Sequence, residues 1–138
     1  MIAGIGVDMV DARRMDRWRG VPGLLERYFH PEELAAAMAR GRGASLSLAA
    51  RFAAKEAFGK AIGTGLAGIV LKDIMVRSND KGRPEIRVSG TARAALDESG
   101  ADRAHLSITH ERDHAVAMVV LESLGEKGES QWAKKSAS

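Results

Sequence analysis

Two acidic residues stand where a carboxylate has little structural use. Asp8 lies near the end of the stretch 1–10, in which Ile2, Gly4, Gly6 and Asp8 alternate with Ala3, Ile5, Val7 and Met9. Alternation with a period of two reads as a strand with one apolar face and one nearly bare face. Aspartate is poorly suited to strands, and glycine inside one marks close approach by a ligand or another backbone. Asp11 directly precedes a helical stretch and suits its cap, which leaves Asp8 for chemistry. Glu56 stands in Arg51-Phe52-Ala53-Ala54-Lys55-Glu56-Ala57-Phe58-Gly59-Lys60-Ala61-Ile62-Gly63-Thr64-Gly65, within a run that has few polar residues. A carboxylate on a largely covered helix needs a cation, a metal or hydrogen bonds. From that helix alone two readings stay open: an i,i+4 pair with Lys60, or a ligand. Two carboxylates from separate elements suit magnesium, with waters and substrate phosphates completing an octahedron. Lys60, followed by Gly63-Thr64-Gly65, suits phosphate binding, although the P-loop pattern is absent. Zinc is disfavoured: His105 and His110 point to opposite faces of a strand, and His114 lies past a turn. His105, Ser107 and Thr109 share a face that either meets a nucleotide or is simply exposed.

The elements that must position these groups follow from punctuation and period. The run Ala44–Ile62 contains no proline and ends at Gly63-Thr64-Gly65, so it reads as one helix. Ala50, Ala54, Ala57 and Ala61 share one of its faces, a stripe small enough for another element to pack very close. Residues 12–18 read as a short helix on which Arg13, Arg14 and Arg17 form a basic ridge, either a solubilising face or a dock for an acidic partner. Short helices over 24–29 and from Pro31 to about Arg40 come next, with Glu32 and Glu33 suiting the positive end of the second. Residues 69–78 read as a strand, 79–84 as a turn and 85–88 as its partner strand. A helix over 91–98 and strands over 105–110 and His114–Glu122 complete the domain. The expected class is α+β, a mainly antiparallel sheet packed against a long central helix. Residues 1–122 form the domain, and 123–138 form a polar tail, with an isolated Trp132, expected to be frayed or disordered.

At 138 residues the chain makes one domain. Aromatic residues are only 4% of it, so the core must come from Ala, Leu, Ile, Val and Met. That suggests close helix-to-sheet contacts or burial shared between subunits. The absence of cysteine excludes disulfides and thiolate metal sites. With no secretory signal or membrane-length apolar run, a soluble cytoplasmic protein is expected. A net charge of +3 permits an acidic partner.

Three fragments together resemble the holo-acyl-carrier-protein synthases, the short group of the 4'-phosphopantetheinyl transferases. They are Gly4-Ile5-Gly6-Val7-Asp8-Met9-Val10, Arg51-Phe52-Ala53-Ala54-Lys55-Glu56-Ala57 with Lys60 and Gly63-Thr64-Gly65, and His105-Leu106-Ser107-Ile108-Thr109-His110. The turn Asp80-Lys81-Gly82-Arg83-Pro84 fits as well, and the likeness runs from Met1 to Glu122. The resemblance implies a magnesium-dependent transfer of 4'-phosphopantetheine from coenzyme A to a serine of an apo acyl carrier protein, releasing adenosine 3',5'-bisphosphate. It implies that Asp8 and Glu56 hold the metal and that Lys60 adds positive charge at the same phosphates. Lys55 either does likewise or pairs structurally. Glu56, directly or through a water, is the implied base for the serine proton. Gly63, Thr64, Gly65 and His105 would line the coenzyme A cleft, and Arg13, Arg14 and Arg17 would meet the acidic carrier protein. A homotrimer with sites shared between subunits is implied too. Two other classes remain: a small basic nucleic-acid-binding domain using Arg13, Arg14, Arg17, Arg40, Arg42 and Arg51, and a non-catalytic scaffold. Against the first, the chain has no aromatic stacking surface and no nucleic-acid motif.

Overall fold

The alanine-rich run folds as a single 19-residue helix in the computed structural model, which describes residues 1–125. In chain order the elements are β1 (Ile2–Asp11), α1 (Ala12–Arg19), α2 (Leu24–Tyr28), α3 (Pro31–Met38), α4 (Ala44–Ile62), β2 (Ile74–Ser78), β3 (Pro84–Val88), α5 (Gly90–Glu98), β4 (Arg103–Glu111) and β5 (His114–Glu122). Strands β1, β5 and β4 make one antiparallel sheet in that order, and β2 and β3 form a separate hairpin. The class is α+β, with α4 lying across the three-stranded sheet.

The bare face of β1, not its apolar face, meets the helix. A Cβ on Gly4 would stand 2.1 Å from the Ala61 carbonyl oxygen, and one on Gly6 would stand 2.1 Å from that of Ala57. The close approach that the glycines announce is therefore by another backbone, that of α4. Glycine on the strand and alanine on the helix together remove the side chains that normally hold the two layers apart. Ile5, Val7 and Met9 consequently face outward and are exposed. We expect Gly6→Ala to cost about 3 kcal/mol or more, because the neighbouring atom is backbone and cannot turn aside. Thermal denaturation should show a drop of roughly 10 °C in Tm. An unchanged Tm would mean that β1 stands further from α4 than described.

The strand expected over 69–78 begins only at Ile74, and Leu71–Asp73 is a 3-10 turn. Polar ties pull this segment out of the sheet. The Val70 amide donates to the Thr91 hydroxyl at 2.8 Å. The Asp73 carboxylate accepts from the Thr91 amide at 2.8 Å and from its hydroxyl at 2.6 Å, capping α5 from a distance. Gly90, at φ +46°, must be glycine here, since a Cβ would lie 2.6 Å from the Asp73 carboxylate.

Lys55 is buried in the core, and its ammonium is fully bonded. It donates to Glu33 Oε1 at 2.7 Å and to the carbonyls of Leu71 at 2.9 Å and Ile74. Glu33, expected only to complement the start of α3, is itself buried. It also accepts from the amides of His30 at 3.0 Å and Val76 at 3.1 Å. This pair ties α3, α4 and the start of β2 together. At the other end, Ser123 passes the expected domain limit of Glu122: it is buried, and its hydroxyl donates to the Gly100 carbonyl at 2.6 Å. The rest of the expected tail from residue 126, Trp132 included, lies outside the described residues. Among the described residues no helix is long and apolar enough to cross a membrane.

Candidate active site

The crossing of β1 over α4 brings Asp8 to the helix. Asp8 shares the inward face of β1 with Gly4 and Gly6, opposite Ala117 of β5. Lys60 reaches back across the crossing and donates to Asp8 Oδ1 and to the Val7 carbonyl, each at 3.0 Å. The i,i+4 pair of Glu56 with Lys60 is therefore not the contact that Lys60 makes. Glu56, one turn earlier on α4, is half-buried. Burial pushes its carboxyl above the ordinary carboxylate range, and the negative charge of Asp8 pushes it further. Arg14 and Lys60 pull the other way. Two carboxylates close enough to repel, one of them half-buried and short of a cation, form a site that asks for positive charge.

The donor set fits magnesium. Carboxylate oxygens are hard ligands, and magnesium characteristically takes one or two of them and fills its remaining positions with water and phosphate. Among the described residues no group of three or more His, Cys, Asp or Glu side chains could hold a metal. An ion at Asp8 and Glu56 would thus depend on ligands that the substrate and water supply.

The loop after α4 lies beside Lys60. Gly63, at φ +95°, caps the helix by donating to the carbonyls of Gly59 and Lys60, and Gly65 donates to Gly59 at 3.0 Å. The loop folds back so tightly that a Cβ on Gly59 would lie 2.7 Å from the Gly65 backbone. Thr64 is exposed at its tip. This is the negative end of the helix dipole, so the positive charge here comes from Lys60 and not from the helix end.

The basic ridge of α1 divides into three situations. Asp11 caps α1, accepting from the Arg13 amide at 2.9 Å, and its carboxylate also grips the Arg13 guanidinium at 2.6 Å. Those bonds hold the Asp11 carboxyl down at about 2. Arg14 lies over the rings of Trp18 and Phe52, near Glu56. Arg17 is exposed in the last turn.

His105 does not join Asp8 within one chain. It pairs in register with Val120, on the outward face of the sheet that also carries Val7 and Met118, while Asp8 faces inward toward α4. Its Nε2 lies 3.1 Å from Glu122 Oε1. His110 is the histidine that faces inward. With Arg40, Ser47, Arg51, Ser78 and Pro84 it lines a cleft of about 480 Å³. The Arg51 guanidinium donates to the Val76 carbonyl at 2.6 Å, and its Nε is buried with no partner among the described residues. Burial pushes the Arg51 pKa down. Sequence reasoning missed this cleft as a site. Period two already separates His110 from His105, but which of the two faces the helix depends on the packing of β1.

A family model described as the 4'-phosphopantetheinyl transferase superfamily matches residues 4–119. The holo-[acyl-carrier-protein] synthase of Treponema denticola is 52% identical over 122 residues, spanning 88% of this chain and 99% of that protein. The crystal structure of holo-[acyl-carrier-protein] synthase from Neisseria meningitidis superposes with a TM-score of 0.80 at 38% identity, covering 89% of this chain and all of that one. A holo-(acyl-carrier-protein) synthase from Bacillus anthracis, in complex with CoA (3',5'-ADP), gives a TM-score of 0.75 at 36% identity, covering 90% of this chain and 99% of that one.

Proposed function

The chain belongs to the 4'-phosphopantetheinyl transferase superfamily and is a phosphopantetheinyl transferase of the holo-[acyl-carrier-protein] synthase kind, and we propose that it moves the 4'-phosphopantetheine of coenzyme A onto a serine of an apo acyl carrier protein. The reaction releases adenosine 3',5'-bisphosphate, uses magnesium, and takes place in the cytoplasm. The observation that carries this reading is the meeting of Asp8, Glu56 and Lys60 where β1 crosses α4.

Asp8 and Glu56 would hold the magnesium. When bound, magnesium neutralises the diphosphate and stabilises charge that builds on its oxygens. Lys60, half-exposed beside Asp8, supplies a mobile positive charge to the same phosphates. Glu56, directly or through a water, would take the serine proton. Gly63, Thr64 and Gly65 would flank the coenzyme A beside Lys60. Arg40, Arg51 and His110 suit its phosphorylated nucleotide end, because they bring two guanidinium groups and an imidazole to one cleft. Arg14 and Arg17 give α1 a positive face for the acidic carrier protein, and Arg13 contributes its charge from its bond to Asp11. Against the nucleic-acid reading, Arg13 is tied to Asp11 and Arg51 turns into the cleft, which takes two of its six arginines.

The outward face of the β1-β5-β4 sheet supports association between copies, as in the homotrimer we propose. Ile5, Val7, Met9 and Met118 are each at least 42% exposed and lie side by side, a patch that water would not leave uncovered. Burying it between copies would put His105, which lies on the same face, near a subunit boundary. Val7→Glu should then convert the assembly to single subunits in light scattering. A variant that stays trimeric would show that another surface joins the copies. The function itself is tested by mass spectrometry of an apo carrier protein after incubation with this chain, magnesium and coenzyme A. The expected result is a gain of one phosphopantetheine arm, and no gain with any apo carrier would overturn the reading.

A further inference from the structure

The chain has six aromatic residues, and three of them meet at one place. Trp18 of α1 lies 5.2 Å from Tyr28 and 5.0 Å, edge to face, from Phe52, measured between ring centroids. The Arg14 guanidinium carbon sits 4.9 Å from the Trp18 centroid and 5.0 Å from that of Phe52. Among the described residues Arg14 makes no salt bridge, in contrast to Arg13, which Asp11 holds. Its place is therefore set by ring faces. A guanidinium held over aromatic faces keeps the donors at its planar edge free for a carboxylate. The two rings come from the two elements that bound the site. Trp18 is one turn after Arg14 on α1, and Phe52 is buried one turn before Glu56 on α4. Arg14 is thus held near Glu56 and open toward solvent.

We propose that Trp18 is a positioning residue for carrier-protein recognition: with Phe52 it clamps Arg14 so that the guanidinium edge is already turned to an acidic partner near Glu56. This rests on the reading that α1 docks the acidic carrier protein. A long, freely rotating arginine loses rotamer freedom when it binds, and a clamped one has lost it beforehand. The clamp therefore acts on the carrier protein's KM and not on coenzyme A.

The test is a double-mutant cycle in the full chain, with Arg14→Ala, Trp18→Leu and the double variant, plus Trp18→Phe. Steady-state rates are measured against apo carrier protein and against coenzyme A, and folding is monitored by Tm. Trp18→Leu should raise the KM for the carrier about tenfold, with kcat and the coenzyme A KM within about twofold. Trp18→Phe should restore most of the loss. On the Arg14→Ala background, Trp18→Leu should add nothing. Should leucine at position 18 impair folding, Trp18→Met carries the same test. Additive losses would show that Trp18 touches the partner itself, and a fall in kcat with a changed coenzyme A KM would show a general structural role; either overturns the proposal. If Arg14→Ala raises the carrier KM while Trp18→Leu does not, the positioning role alone fails. If Arg14→Ala leaves the carrier KM unchanged, the docking role of α1 fails and the clamp with it.

Discussion

Glu56→Gln is expected to lower kcat for phosphopantetheine transfer by about a thousandfold or more, while leaving the apo protein at least as stable as before. The loss is large because one oxygen pair serves two purposes. A glutamine side chain would keep the shape, but it would offer the metal a neutral ligand and the serine no base. Loss of a general base alone typically costs about a hundredfold to ten-thousandfold, and a thousandfold corresponds to roughly 4 kcal/mol of barrier. Asp8→Asn should fall in the same range, and the double variant should lose little more, because the two act as one unit. The stability side follows from the sign of the pKa shift. Burial and Asp8 raise the Glu56 pKa in the folded state, so that state holds the proton to higher pH than the unfolded chain does. Stability is therefore lost as pH climbs from the ordinary carboxylate range through the raised value, and the penalty is fully present above it. Glutamine carries no such penalty. In metal-free buffer the Tm of Glu56→Gln should match the wild type at low pH and equal or exceed it near pH 7. A variant that is both inactive and clearly less stable would make Glu56 a structural residue.

Lys55→Met is expected to do the reverse: it should cost about 3–5 kcal/mol of stability and leave the chemistry of the folded fraction largely intact. The change removes one partner of a pair that is buried on both sides, stranding the Glu33 carboxylate away from water. It also leaves the carbonyls of Leu71 and Ile74 without their donor. Urea denaturation measures the cost as a lower midpoint. Rates taken at low temperature, where the variant stays folded, test the other half. A fall in kcat of more than about tenfold with unchanged stability would return Lys55 to the reaction as a second cation at the phosphates. The two neighbours Lys55 and Glu56 thus divide their work by direction: one side chain enters the core and the next faces β1.

How much of this was legible depends on the range over which each signal acts. The helix Ala44–Ile62 could be read directly, because its start, its glycine stop and its unbroken alanine run are local. Asp8 and Glu56 were legible as candidates because each is out of character with its surroundings. The glycines at 4 and 6 announced a close approach, but only packing reveals that α4 is what approaches. That packing also decides which histidine faces the helix, since alternation separates His105 from His110 without choosing between them. The partnership of Lys55 with Glu33 spans 22 residues and joins two helices, and neither residue is unusual where it stands. The late start of β2, at Ile74 and not at Ile69, was hidden for the same reason: Thr91, which holds Val70, lies 21 residues further on.

The sharing of one divalent ion by Asp8 and Glu56 is tested most directly by the anomalous scattering of manganese in crystals grown with manganese and coenzyme A. The expected result is a single ion with a carboxylate oxygen from each of the two residues within about 2.5 Å. An ion bound by only one of the two, or held at another place while the two carboxylates stay apart, would contradict it.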